Sequence, residues 1–147
     1  MKKVLLPDDY NISPLALVRW VNSEYEEAIF KRTGNNKILR QNSVRSILKI
    51  LSLYSGISQN DLAREVHLKG ATISISLNLM QKEGLIYREA SLTDKRKINV
   101  YLSSKGYDLK KELDIIVEDT EKEILSMLAD NEKYELSLLL RKILANY

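Results

Sequence analysis

The sequence predicts a mainly α fold carrying one small β-hairpin. Two observations predict it. Over most of the 147 residues the apolar side chains recur three and four apart, which is the period of a helix. One stretch, around residues 85–102, instead alternates apolar and polar on either side of a charged tip, which is the period of a strand. With 44% apolar residues the chain can bury a real core, and 29% charged residues give it a solvated surface.

The elements follow in order. Ser13-Pro14 opens the first helix, with serine as cap and proline at the first helical position, where its missing N–H costs nothing. Leu17, Val18, Val21, Tyr25, Ala28 and Ile29 form its stripe, and Thr33-Gly34-Asn35-Asn36 ends it. A second helix carries Val44, Ile47, Leu48, Leu51 and Tyr54, closed by Ser55-Gly56. Ser58-Gln59-Asn60-Asp61 is a variant capping box that starts a short third helix burying Leu62, Ala63 and Val66. After Leu68-Lys69-Gly70 a fourth helix places Ile73, Leu77 and Met80 on one face, and Gly84 stops it.

The runs 85–90 and 98–102 are the arms of the hairpin, and Ser91 to Lys97 form its projecting tip. Ser103 caps a long fifth helix, striped by Leu109, Leu113, Ile116, Val117, Thr120, Ile124, Met127 and Leu128. Asp130 is expected to cap a sixth, rich in Leu136, Leu139, Leu140, Ile143 and Leu144. No internal repeat is present.

Charge is divided along the chain. Residues 1–57 carry nine Lys/Arg against five Asp/Glu (+4), residues 58–106 eight against five (+3), and residues 107–147 six against ten (−4). Such asymmetry suits a basic part that meets a polyanion and an acidic part that does something else. Cysteine is absent, which excludes disulfides and thiol chemistry, and the lone His67 argues against a transition-metal site. No cofactor is expected. The segment Met1 to Asp9 has too short an apolar run for a signal peptide, and no stretch is long enough to span a membrane. The expected location is the cytoplasm.

Two short helices joined by a tight turn and followed by a basic hairpin are the layout of a winged helix-turn-helix, in which the second short helix enters the DNA major groove. Hundred-degree steps place Ala71, Ile75, Asn78 and Lys82 opposite the buried face of that helix, flanked by Thr72, Ser74 and Leu79. Asn suits a two-pronged bond to adenine, Ser and Thr serve several bases, and Ile or Leu meets a thymine methyl. Lys69 and Lys82 suit phosphates. An ordinary solvated helix face would carry similar polar residues, although Ile75 and Leu79 would then be left in water. At the tip, Lys95, Arg96 and Lys97 concentrate positive charge on a narrow projection, and arginine is favoured in a narrow minor groove. A soluble loop of mixed charge is the bland alternative. Asp94 either pins the arginine or closes the turn.

Catalysis is disfavoured. His67, Asp61 and a nearby serine share proximity in sequence, which is not triad geometry. His67 near the end of a short helix suits a cation meeting the last carbonyls. No phosphate-cradling glycine loop is present.

The run from Leu62-Ala63 through Thr72-Ile73-Ser74 and Gly84-Leu85-Ile86-Tyr87-Arg88 to Asp94-Lys95-Arg96 and Leu102-Ser103-Ser104-Lys105-Gly106 resembles the MarR (multiple antibiotic resistance regulator) family. Its most specific part is the wing pattern Asp-x-Arg followed by Leu-Ser-x-Lys-Gly. The resemblance implies a winged helix-turn-helix over residues 37–102, with residues 1–36 and 103–147 forming a helical dimerisation region. It implies a homodimer on a pseudo-palindromic operator, a repressor in most cases, often released by a small and frequently aromatic effector. Arg96 would be the wing arginine and Ser74 a recognition-helix contact. The family often has a basic residue after the position of Ser74, where this chain has Ile75, so its base pattern is expected to differ. Peroxide sensing through cysteine and zinc sensing through several ligands do not fit this composition.

The apolar stripes on the first, fifth and sixth helices agree with a dimer, being too apolar for helices attached to a wing domain alone. An intramolecular helical layer is the alternative. Trp20 and Tyr25 at helical spacing suit a core more than an effector pocket, so no effector-binding residues are assigned. A winged helix that binds protein instead of DNA also stays open, and the basic tip favours DNA.

Overall fold

The computed structural model describes residues 12–94 and 96–146. The segment Met1 to Asp9 and the tip residue Lys95 discussed above lie outside the described residues. The order is α1 (Pro14–Arg32), α2 (Asn42–Leu53), β1 (Ile57–Ser58), α3 (Gln59–Glu65), α4 (Gly70–Lys82), β2 (Ile86–Ala90), β3 (Ile98–Leu102), α5 (Ser104–Ile124) and α6 (Asp130–Leu144). All six expected helices and both hairpin arms are present.

The amphipathic helix α2 is the hub of the core. Its Val44, Ile47, Leu48 and Leu51 are wholly buried and pack in one cluster with Leu62 of α3, Ile73, Leu77 and Met80 of α4, Val100 and Leu102 of β3, and Leu113 of α5. Tyr54, read as the last member of this stripe, falls at the C-cap and stays exposed, because the helix has ended and the side chain no longer follows the stripe.

The wing has one strand more than a hairpin. Ile57 and Ser58 pair antiparallel with Val100 and Asn99, giving a three-stranded sheet in the order β1-β3-β2. A two-residue strand has no period to recognise, so only the sheet partner reveals it. The β2–β3 pairs run from Ile86 with Leu102 to Ala90 with Ile98, and they place Val100 and Leu102 on the core side. On the other face Tyr87 and Tyr101 stack, ring centroids 5.1 Å apart.

α5 is stitched to the corner between α4 and β2. Ser103 Oγ accepts from the Gly106 N–H at 3.0 Å and donates to the Gly84 carbonyl at 2.6 Å, and the Ser103 N–H donates to the Leu85 carbonyl at 2.9 Å. Lys105 Nζ donates to the Glu83 carbonyl at 2.7 Å. The Leu-Ser-Ser-Lys-Gly run therefore anchors a helix, and its lysine is committed to a backbone carbonyl. Gly106 is required there, because a Cβ would lie 2.1 Å from the Leu85 carbonyl oxygen.

α1 is fastened by charge. The almost buried Arg45 of α2 pairs with Glu26 and donates to the Leu39 carbonyl at 2.7 Å, while Arg32 pairs with Glu123 of α5. The Arg32 guanidinium holds the Glu123 carboxyl below its ordinary range. Burial, reinforced by Glu121 and Glu26, pushes the half-buried Tyr25 phenol up.

Two helix starts differ from expectation. Ser13 stands at the N-cap of α1 but makes no side-chain cap bond. Asp130 is the first residue of α6, not its cap; Ala129 holds that position, and its N–H is satisfied from inside the helix by Glu132 at 2.7 Å. Met127 of the α5 stripe is exposed, because α5 ends at Ile124. No helix among the described residues is long and apolar enough to cross a membrane.

Candidate nucleic-acid interface

The site is built on the α3–turn–α4 unit. Ser58 caps α3, its Oγ accepting from the Asp61 N–H at 3.2 Å and donating to the Asp61 carboxylate at 2.6 Å. α3 ends in a Schellman pattern: the His67 N–H bonds the Arg64 carbonyl and the Leu68 N–H the Ala63 carbonyl, both at 3.1 Å. His67 takes the left-handed position with φ of 52°, where glycine is usual. Its role is thus set by backbone turn geometry. The short turn presents Lys69, which is exposed at the N-cap of α4.

α4 buries Ile73, Leu77 and Met80 as the hundred-degree steps require, and it buries Ser76 as well. Ser76 Oγ donates to Ser43 Oγ at 2.8 Å, which satisfies the hydroxyl inside the contact with α2. Thr72, Ile75, Asn78 and Lys82 are exposed on the opposite face, with Ile75 at 70%. Ser74 is half-buried and accepts from Gln59 Nε2 at 3.3 Å, a link back to α3. The recognition-face residues therefore share one outward surface, with Ser74 at its margin.

Two residues belong to this surface that the sequence did not single out. Arg88, in the middle of β2, reaches across to α4. Its Nη1 donates to Asn78 Oδ1 and to Gln81 Oε1, both at 2.9 Å. Arg88 Nε is buried and has no partner among the described residues. Leaving such a donor unmet costs about 1–3 kcal/mol. The signal in the sequence is slight: a charged residue inside a strand, and two carboxamides three apart on a helix.

The wing tip is organised by Ser91 and Asp94. The buried Ser91 accepts from the Thr93 and Asp94 N–H groups at 3.3 Å each, and the Lys97 N–H closes a turn onto the Asp94 carbonyl at 2.8 Å. Asp94 Oδ1 accepts from the Arg96 N–H at 3.1 Å and from its Nε at 3.4 Å, so the aspartate both closes the turn and touches the arginine. The Arg96 side chain is nonetheless 94% exposed, and Lys97 is exposed beside it. A half-open groove of about 640 Å³ runs between the start of α3 and the wing, with Gln59, Asp61 and Arg64 on one wall and Arg96, Lys97 and Ile98 on the other.

This arrangement puts an outward helix face and a narrow cationic projection on neighbouring elements of a single compact core. Residues 45–97 match the family model described as the MarR family. That segment, from α2 to the wing, is similar to the MarR family. Among relatives, an HTH-type transcriptional repressor of Mycobacterium tuberculosis is 25% identical over 96 residues, covering 65% of this chain and 69% of the relative. Among solved structures, the MepR–DNA complex of Staphylococcus aureus superposes with a TM-score of 0.78 at 25% identity, covering 92% of this chain and 99% of that one. Bordetella bronchiseptica BpsR, whose DNA binding is regulated by 6-hydroxynicotinic acid, superposes with a TM-score of 0.75 at 23% identity, covering 87% and 96%. The proteins to which the chain is similar in these comparisons are transcription regulators.

Proposed function

We propose that the chain is a ligand-responsive repressor that binds a pseudo-palindromic operator as a homodimer, in the cytoplasm. The observation that carries the reading is the exposed α4 face of Thr72, Ile75, Asn78 and Lys82 standing beside the exposed Arg96 and Lys97 of the wing. α4 lies in a major groove with Ser74 at the edge of the contact, Lys69 and Lys82 hold phosphates, and the tip, including Lys95, follows the adjoining backbone or minor groove. The MepR–DNA complex, on the same fold, supports a DNA partner.

Residues 1–36 and 103–147 form the dimerisation region in this reading. α6 has no buried residue and exposes Leu136, Leu138, Leu139, Ile143 and Leu144, while α1 exposes Leu15, Val18, Trp20 and Val21. Exposed apolar side chains in that number on two helices are a liability in a monomer and suit an obligate interface. Two-fold symmetry then sets the half-sites roughly 34–36 Å apart. A small effector, as for BpsR, acts by binding better to a dimer whose α4 helices are wrongly spaced, and it shifts the equilibrium only by that difference in affinity.

The test is fluorescence anisotropy on the DNA upstream of the chain's own gene, against scrambled DNA, between about 50 and 200 mM salt. Tight, steeply salt-dependent binding that favours the native sequence is expected. A folded dimer that binds neither DNA would favour the protein-binding alternative.

A further inference from the structure

Arg88 donates to two carboxamides that stand three residues apart on α4. A guanidinium has donors and no acceptor, so each carboxamide must turn its oxygen toward it. The oxygen and nitrogen of a carboxamide diverge widely from their shared carbon, so turning one toward a partner aims the other elsewhere. With Oδ1 of Asn78 drawn back to β2, its amide nitrogen points away from the strand. Asn78 is exposed, and that nitrogen makes no hydrogen bond with the described residues. Arg88 cannot swing freely to another partner, because it emerges from a paired strand position opposite Val100 and its Nε is already buried.

We infer that Arg88 is a positioning residue for base reading: it locks the Asn78 carboxamide so that the face turned to DNA is a donor, selecting an acceptor on the base edge. The inference rests on α4 being the DNA-reading helix. A two-pronged adenine pair needs the asparagine to offer donor and acceptor side by side. With its oxygen turned toward Arg88 and its nitrogen leading, Asn78 favours guanine, whose major-groove edge presents two acceptors, over cytosine, which presents a donor. Ile75, three residues earlier on the same face, suits a neighbouring thymine methyl. Gln81 is held by the same Nη1 and completes the clamp.

The experiment is selection from a random double-stranded DNA library, run on the full chain and on two variants and read as base preference at each position. The full chain is expected to select a two-fold motif with one guanine per half-site favoured about tenfold over cytosine. Arg88→Met keeps the aliphatic stem and removes the donors. It is expected to bring that one preference to within about twofold, leaving the other positions, the thermal midpoint and the salt slope unchanged. Asn78→Asp keeps an acceptor for Arg88 and turns a second acceptor outward, so the preference at that position should pass to cytosine. This variant serves even where Arg88→Met does not fold. A uniform loss across all positions with a salt slope smaller by about one would make Arg88 a phosphate contact and overturn the inference. An Asn78→Asp variant that still selects guanine would overturn it as well. If the full chain itself selects no motif, the DNA-reading role of α4 fails, and the inference falls with it.

Discussion

Gly106→Ala should be among the most damaging single-methyl changes in the protein. The new Cβ would stand 2.1 Å from the Leu85 carbonyl oxygen and 3.0 Å from Leu102 Cδ2. The first obstacle is backbone, which has no rotamer with which to retreat, so α5 must move outward by about an ångström to restore contact distance. Overpacking of this kind costs about 1–3 kcal/mol. The displacement also strains the Ser103 N–H bond to that same Leu85 carbonyl, a loss of about 1 kcal/mol. The Ser103 cap on the Gly106 N–H adds about 1 kcal/mol more. A total near 4 kcal/mol lowers the thermal midpoint by roughly 10 °C in a chain of this size. The assay is thermal unfolding followed by circular dichroism at one fixed chain concentration. Gly70→Ala is the control: it sits in the first turn of α4 with nothing within 4 Å of an added Cβ, so the midpoint should hold or rise slightly. A Gly106→Ala midpoint within 2 °C or so of the parent would refute the argument, because it would mean that α5 does not lie against the Leu85 carbonyl.

Other consequences are smaller. His67→Gly relieves a left-handed side chain at the end of α3 and should stabilise by roughly 0.5–1 kcal/mol, read as a higher urea midpoint; a lower midpoint would contradict the turn geometry. Arg96→Ala, at a fully solvated tip, should leave stability alone, weaken native and random DNA equally, and flatten the salt slope by about one unit in anisotropy titrations. Glu123→Gln should remove a contribution that is present above the ordinary carboxyl pKa of 4.5 and lost as pH falls through the lowered folded value. The midpoints of variant and parent should therefore differ slightly at neutral pH and converge in acid. Leu139→Glu places charge on the exposed apolar face of α6 and should shift sedimentation toward the monomer, whereas an unchanged dimer would place the interface elsewhere.

The helices were legible from their apolar stripes, and in α2 the Val44, Ile47, Leu48 and Leu51 series is buried as its spacing requires, whereas the stripes of α1 and α6 are left largely exposed in the single chain. The outward face of α4 followed from the same geometry, with Ile75, Asn78 and Lys82 exposed opposite Ile73, Leu77 and Met80. What escaped was decided by contacts between distant residues. β1 is too short to show a period and exists through its pairing with β3. Ala129 serves as a cap because Glu132 reaches back to it, where an aspartate one residue on looked more suitable. The sequence suits Asn78 to a two-pronged bond with adenine, yet its oxygen is held by an arginine ten residues away in sequence. His67 looked like a cation near a helix end, and its backbone turned out to matter more than its charge.

The central claim is that two copies of α4 enter successive major grooves under two-fold symmetry. Hydroxyl-radical footprinting of the protein on the DNA it selects tests this most directly. Two equivalent protected windows about 10–10.5 base pairs apart, each with flanking protection from the wing, are the predicted result. A single window without symmetry, or none at concentrations where the dimer is formed, would contradict it.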